Sequence, residues 1–74
     1  MNKQRREKIK ELRTEIEFCK NKLQIILDEE QDYFDNMPEN LQGSMRGSDS
    51  EDAIGTIEAC IDELDEVIEE LLGI

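Results

Sequence analysis

The sequence predicts an all-α protein, an antiparallel two-helix hairpin of coiled-coil type with an ordered loop, which assembles into a four-helix bundle or a higher homo-oligomer. Apolar residues repeat in alternating steps of three and four along two segments, as on one face of a helix. The first 22 residues carry eight Lys or Arg against four Glu, whereas the 28 residues from Gly47 to Ile74 carry ten carboxylates and no basic residue. An antiparallel hairpin sets the acidic tail beside the basic head and so offsets charges that oppose each helix dipole.

The first helix is predicted over residues 3–35, and it ends before Pro38 because the residues preceding a proline disfavour helical geometry. Glu30 is the one polar interruption of its apolar seam. The predicted seam residues are Ile9, Leu12, Ile16, Cys19, Leu23, Ile26, Tyr33 and Met37.

The second helix is predicted over residues 49–73, introduced by Ser48 and Glu51, which have the spacing of a capping box. One predicted apolar seam consists of Ala53, Ile57, Cys60, Leu64, Val67, Leu71 and Ile74, and a second row consists of Ile54, Ile61 and Ile68. Because two adjacent rows make a wide apolar face, we expect more than one hairpin to pack together. The residues expected to form the core and the oligomer seam are Ile54, Ile57, Ile61, Leu64, Ile68 and Leu71.

The connection between the helices, residues 36–47, is longer than the two to eight residues that helix pairs usually need. Pro38 to Gly43 is typical of a single helical turn, with proline at its first position and glycine at its end. Leu41 and Met45 are then expected to pin the loop onto the end of the bundle.

Composition restricts the classes of function. The chain is one domain, 1–74, with only 36% hydrophobic residues, so a stable fold is expected to need self-association. The net charge of −11 opposes direct binding of nucleic acid or anionic membrane and favours a basic protein partner or mimicry of DNA. No apolar run approaches the roughly 20 residues of a membrane span, so a cytoplasmic protein is expected.

The chain offers no recognisable catalytic or metal-binding set. It has no histidine, and its two cysteines, Cys19 and Cys60, fall on the predicted seams, where we expect buried, unbridged thiols. No enzyme activity, no cofactor and no metal site are therefore predicted. Arg46, the only basic residue after Lys22, is expected either to pair with Glu30 or to face a ligand. The basic head is expected to be neutralised mostly by the carboxylates of the second helix.

The segment from Tyr33 to Arg46, YFDNMPENLQGSMR, followed by an acidic helix rich in Ala, Ile and Leu, resembles small acidic helical-hairpin proteins of phages and mobile elements. The similarity covers nearly the whole chain, and its most specific part is the loop of D-N-x-P-E-N-L-Q-x-S type. The resemblance implies that the loop carries the function. The residues that it suggests for contact with a ligand or partner are Tyr33, Asn36, Asn40, Gln42, Ser44 and Arg46.

Three functions remain open from the sequence. The first is a non-catalytic binding protein of phage type that inhibits a host factor, including a defence factor, or sequesters a small anionic nucleotide through the loop end. The second is an acidic mimic of DNA that blocks a DNA-binding protein through the carboxylates of the second helix. The third is a purely structural assembly module.

Overall fold

The computed structural model describes all residues, 1–74, and contains three helices: α1, Lys3–Asp35; α2, Glu39–Gln42; and α3, Met45–Leu72. α1 and α3 pack along each other and form an elongated body of 58 × 15 × 13 Å. The predicted helical hairpin is thereby confirmed, and α1 has the same bounds as the helix expected from the heptad spacing. None of the helices is long and apolar enough to cross a membrane.

The start of α3 differs from the prediction. The helix begins at Met45, and its N-cap is Ser44, whose Oγ accepts a hydrogen bond from the Gly47 N–H at 3.4 Å. Ser48 lies inside the first turns, where its N–H donates to the Ser44 carbonyl at 2.9 Å. The predicted capping box at Ser48 is therefore wrong, because Ser44 offers the same hydroxyl chemistry one turn earlier.

The seam of α1 is rotated relative to the predicted one. Ile9, Ile16 and Leu23 lie half-buried against α3 as expected, and Met37 is buried. The second inward row, however, contains Leu27, which is buried, and the half-buried Phe34. The predicted seam residues Leu12, Cys19, Ile26 and Tyr33 are exposed instead.

On α3, both isoleucine and leucine rows face α1. Ile54, Ile61 and Ile68 are buried, and Ile57, Leu64 and Leu71 are half-buried. Both rows pack against α1 within one hairpin, because the inward face of α1 is itself two rows wide. The row of Ile57, Leu64 and Leu71 remains half-exposed, so the expectation that this wide face packs against a further hairpin stays a prediction. The neighbouring predicted seam residues Cys60 and Val67 are exposed.

The core is thin. Its five buried apolar side chains each remain 8–9% exposed, and no side chain is below 2%. Lys20 Nζ and Asp65 Oδ1, 2.7 Å apart, form the single ion pair of the structure. The expected pairing of the basic head with the acidic tail is therefore wrong in detail, since no Lys or Arg between Lys3 and Arg13 forms an ion pair with a carboxylate.

Candidate binding surface at the loop end

The loop is held against the end of α1 by one side chain. Gln42 Nε2 lies 3.3 Å from the Phe34 carbonyl oxygen and 3.2 Å from that of Met37, and donates to both. The carbonyl of Pro38 accepts from the N–H groups of Leu41 and Gln42 at 2.9 and 3.1 Å, which closes the single turn of α2. These bonds satisfy backbone groups that the end of a helix would otherwise leave unpaired.

The loop then passes very close to α3. A Cβ at Gly47 would overlap the carbonyl oxygen of Gln42 and lie 2.6 Å from that of Leu41, so only glycine fits this contact. Ser44 reinforces it, since its hydroxyl donates to the Leu41 carbonyl while accepting from Gly47. α2 and the first turn of α3 thus form one rigid unit, whereas the sequence pattern assigns both to the loop.

Glu30 is stabilised by a serine rather than by a cation. Ser50, which is only 5% exposed, donates its hydroxyl to Glu30 Oε2 at 3.0 Å. Arg46 is exposed and makes no ion pair, so the expected Arg46–Glu30 bridge is wrong. Gly47 and Ser50 lie seven and four residues before Ile54, so they extend the spacing of the α3 seam toward the loop. This spacing is the signal in the sequence that would have identified both as seam positions.

The six predicted contact residues fall into two groups. Gln42 and Ser44 hold the loop together as described, and the backbone N–H of Asn36 caps α1 by donating to the Asp32 carbonyl at 3.0 Å. Four of the six have exposed side chains that are free to meet a ligand or partner, and they are Tyr33, Asn36, Asn40 and Arg46.

Two apolar residues of the loop are more exposed than predicted. Leu41 is 41% exposed and Met45 is 84% exposed, so the expectation that they pin the loop to the bundle is wrong. Met37, only 9% exposed, does this instead. Leu41 and Met45, together with Tyr33 at 48%, leave three large apolar side chains in solvent at the loop end.

Carboxylates are numerous in the half of the hairpin that contains these apolar side chains. Residues 23–53, the loop half of the hairpin, contain nine Asp or Glu and one basic residue, a net charge of −8. The rest of the chain, the free half, contains eleven Asp or Glu and eight Lys or Arg, a net charge of −3. No carboxylate of the loop half forms an ion pair, and no three acidic or cysteine side chains are placed together as metal ligands. The exposed carboxylates of the loop half are Asp28, Glu29, Asp32, Asp35, Glu39, Asp49, Glu51 and Asp52.

The opposite end of the hairpin has a different character. A cleft of about 270 Å³ lies between the start of α1 and the end of α3, with Ile9 and Leu71 among its apolar lining. Four basic residues and one acidic residue, Glu7, also line it. The basic residues of the cleft are Lys3, Arg6, Lys10 and Arg13.

Both cysteines are free, as expected, but both are exposed, so their predicted place in the core is wrong. They lie on rows that the rotated seam leaves outside the hairpin.

Comparisons with known protein families, with curated proteins and with solved structures find no match to this chain.

Proposed function

We propose that this protein is a non-catalytic binding protein whose loop half covers a basic surface of a protein partner. The observation that carries the proposal is the unpaired charge of that half, nine carboxylates against Arg46 alone, with no ion pair among them. Such a surface accelerates encounter with a positively charged partner and repels anions. The resemblance to phage hairpins favours a host factor, including a defence factor, as that partner.

The exposed apolar side chains give this surface its anchors. Long-range attraction by charge steers a partner but contributes little affinity unless apolar groups are buried on contact. Leu41 and Met45 are exposed at the same end as the carboxylates, and methionine side chains are enriched at protein interfaces. The contacts between α2 and the start of α3 fix the backbone at Leu41 and Met45, so binding has to order only their side chains.

Nucleotide sequestration is the second candidate, and its support lies at the other end of the molecule. A phosphate at the loop would meet a net charge of −8 with one arginine to bind it. The cleft at the free end combines four cations with an apolar floor, the chemistry that suits a phosphate attached to a base. Calorimetric titration with cyclic and linear nucleotides tests this alternative directly, and Arg6→Gln with Lys10→Gln is expected to abolish any binding.

If the protein is a DNA mimic, the residues that contribute most to binding lie along α3 and not in the loop. In that case the partner follows the carboxylates along α3, including Asp62, Glu66 and Glu69 near the free end, and the loop is dispensable. A purely structural module predicts tolerance to substitutions in the loop and sensitivity at Ile57, Leu64 and Leu71. The two halves of the hairpin therefore separate the functions.

Two variants with the same change in charge make the test. The loop variant carries Asp32→Asn, Asp35→Asn and Asp49→Asn, and the tail variant carries Asp62→Asn, Glu66→Gln and Glu69→Gln. Binding of an arginine-rich peptide is followed by fluorescence anisotropy, and the proteins that each variant retains from a host extract are quantified by mass spectrometry. We expect the loop variant to bind the peptide roughly tenfold more weakly than the tail variant and to lose the retained partner. Equal weakening in both variants would show that overall charge alone acts, and loss in the tail variant only would favour the DNA mimic.

We also propose that the working form is a homo-oligomeric four-helix bundle or a higher oligomer. The thin core of one hairpin supports this, since a chain of this size with few buried side chains is only marginally stable alone.

A further inference from the structure

Two exposed rows of the hairpin contain no charged residue between positions 12 and 33 of α1 and between positions 53 and 67 of α3, and Arg5 and Arg46 lie one heptad beyond these stretches. On α1, Leu12, Cys19, Ile26 and Tyr33 follow one another at intervals of seven residues, and all four are exposed. On α3, Ala53, Cys60 and Val67 have the same spacing, with Ala53 half-buried and the other two exposed. We refer to these seven residues as the uncharged strip.

The two rows lie on the same side of the hairpin. The ion pair between Lys20 and Asp65, 2.7 Å long, lies on one side of the hairpin. In each helix, the row of the strip lies on the opposite side of the seam from the residue that forms this ion pair. In an antiparallel pair, rows displaced in the same rotational sense point to the same side. The strip is therefore one flat surface made by both helices.

We propose that the uncharged strip is the surface on which a second copy of this chain docks, which gives the proposed bundle its interface. In a twofold dimer the same patch of each chain meets the other, so like charges within the patch would be brought close together across the interface. With a net charge of −11, two chains repel each other over most of their surfaces. The strip is the long face on which they meet without opposing like charges.

Its size and period also suit a second copy. The α1 row runs about 32 Å from Leu12 to Tyr33 and the α3 row about 21 Å from Ala53 to Val67, and with each helix about 10 Å wide the footprint is roughly 530 Å². A stable interface buries about 800 Å² per partner, so the dimer needs the strip together with the side chains along its edges. Its heptad spacing matches that of the intrachain seam, and helices with this repeat interlock along their length.

Other exposed apolar residues do not extend this surface. Phe18 and Ile25 are 61% and 58% exposed, but they lie on the side of α1 away from α3. The ammonium of Lys22 lies 4.5 Å from the centre of the Phe18 ring and partly covers it. Ile25 therefore provides a control position next to Ile26, which is 50% exposed on the strip.

The native thiols report directly on the interface. Both cysteines lie near the middle of the strip and are exposed in a single hairpin, so docking through the strip covers them. We expect sedimentation to show a dimer at high concentration and the rate of thiol modification by a disulfide reagent to fall roughly tenfold over the same concentration range. A chain that remains monomeric at every concentration, or a dimer whose thiols react as fast as those of the monomer, would overturn the proposal.

Two variants complete the experiment. Ile26→Asp is expected to abolish the dimer and leave the thiols reactive at all concentrations, whereas Ile25→Asp adds the same charge one residue away and is expected to dimerise like the unmodified chain. Loss of the dimer in both variants contradicts the proposal. If Ile26→Asp also unfolds the hairpin, as circular dichroism would show, the thiol kinetics of the unmodified chain decide alone.

This inference rests on the proposed oligomer but not on the proposed partner, and the readouts separate them. If the thiols are protected but the arginine-rich peptide does not bind, the proposed dimer is supported and the proposed binding function is contradicted. If the peptide binds but the thiols are not protected, the binding function is supported and the dimer is contradicted.

Discussion

The hydroxyl of Ser50 donates to Glu30 Oε2 at 3.0 Å, so the one carboxylate in the seam is satisfied by a neutral donor from the facing helix. Ser50 is 5% exposed and Glu30 is half-buried between the core and the loop. A partly buried carboxylate without a hydrogen-bond donor destabilises the folded state. Ser50 therefore has a structural role, which is to supply that donor.

Removing the Ser50 hydroxyl alone is expected to destabilise the protein more than replacing both Ser50 and Glu30. Ser50→Ala should lower the free energy of unfolding by about 1–3 kcal/mol, because Glu30 then loses its only side-chain partner. Glu30→Leu together with Ser50→Ala replaces both polar groups and is expected to restore or exceed the original stability. Urea unfolding of the single and double variants measures the difference, and equal losses in all of them would contradict this account.

The two helical glycines of α3 are expected to respond in opposite directions to alanine. Gly47→Ala forces a methyl group into the carbonyls of Gln42 and Leu41 and should destabilise the protein by about 1–3 kcal/mol. A methyl group at Gly55 would meet no atom within 4 Å, so Gly55→Ala should stabilise the protein by about 1 kcal/mol through helix propensity. Thermal unfolding of both variants provides the comparison, and a stabilised Gly47→Ala would refute the close contact.

The position of the cap is tested by two serines. Ser44→Ala removes the hydroxyl that accepts from Gly47 and is expected to lower the free energy of unfolding by about 1 kcal/mol. Ser48→Ala, at the position that the sequence pattern favours, lies inside the helix and should be neutral or slightly stabilising. The reverse order of effects in denaturant unfolding would place the cap at Ser48.

The ion pair between Lys20 and Asp65 is expected to contribute little. Their side chains are 28% and 50% exposed, and pairs of this kind typically contribute about 0.2–1 kcal/mol. A double-mutant cycle with Lys20→Met and Asp65→Asn measures the coupling between them, which should decrease further in high salt. A coupling that is large and independent of salt would show that the pair is shielded from solvent.

The helical hairpin follows from the sequence without further information. The heptad spacing, Pro38 and the opposite charges of the two ends are local or pairwise features, and they predict the bounds of α1 and the antiparallel return of α3. The polarity of the loop half and the lack of histidine likewise follow directly from composition. For the binding surface, Tyr33, Asn36, Asn40 and Arg46 remain exposed, whereas Gln42 and Ser44 are used by the fold itself.

The choice of which apolar rows face each other is made by the packing of the two helices. Each helix has three neighbouring rows with hydrophobic residues, and periodicity alone does not choose two of them. The row that contains Leu27 and Phe34 packs against α3 because burial of these two side chains is favourable. The same row can contain Arg13 and Lys20, because the aliphatic part of a long basic side chain packs while its charged end reaches solvent. This rotation leaves both cysteines outside and creates the uncharged strip.

The cap of α3 depends on packing in the same way. Ser44 and Ser48 are chemically equivalent, so local sequence does not distinguish them as caps. The contact of Gly47 with the loop selects Ser44, because it brings the loop and the first turn of α3 together at that residue. Both outcomes depend on contacts between residues of different elements, which a pattern along one helix does not contain.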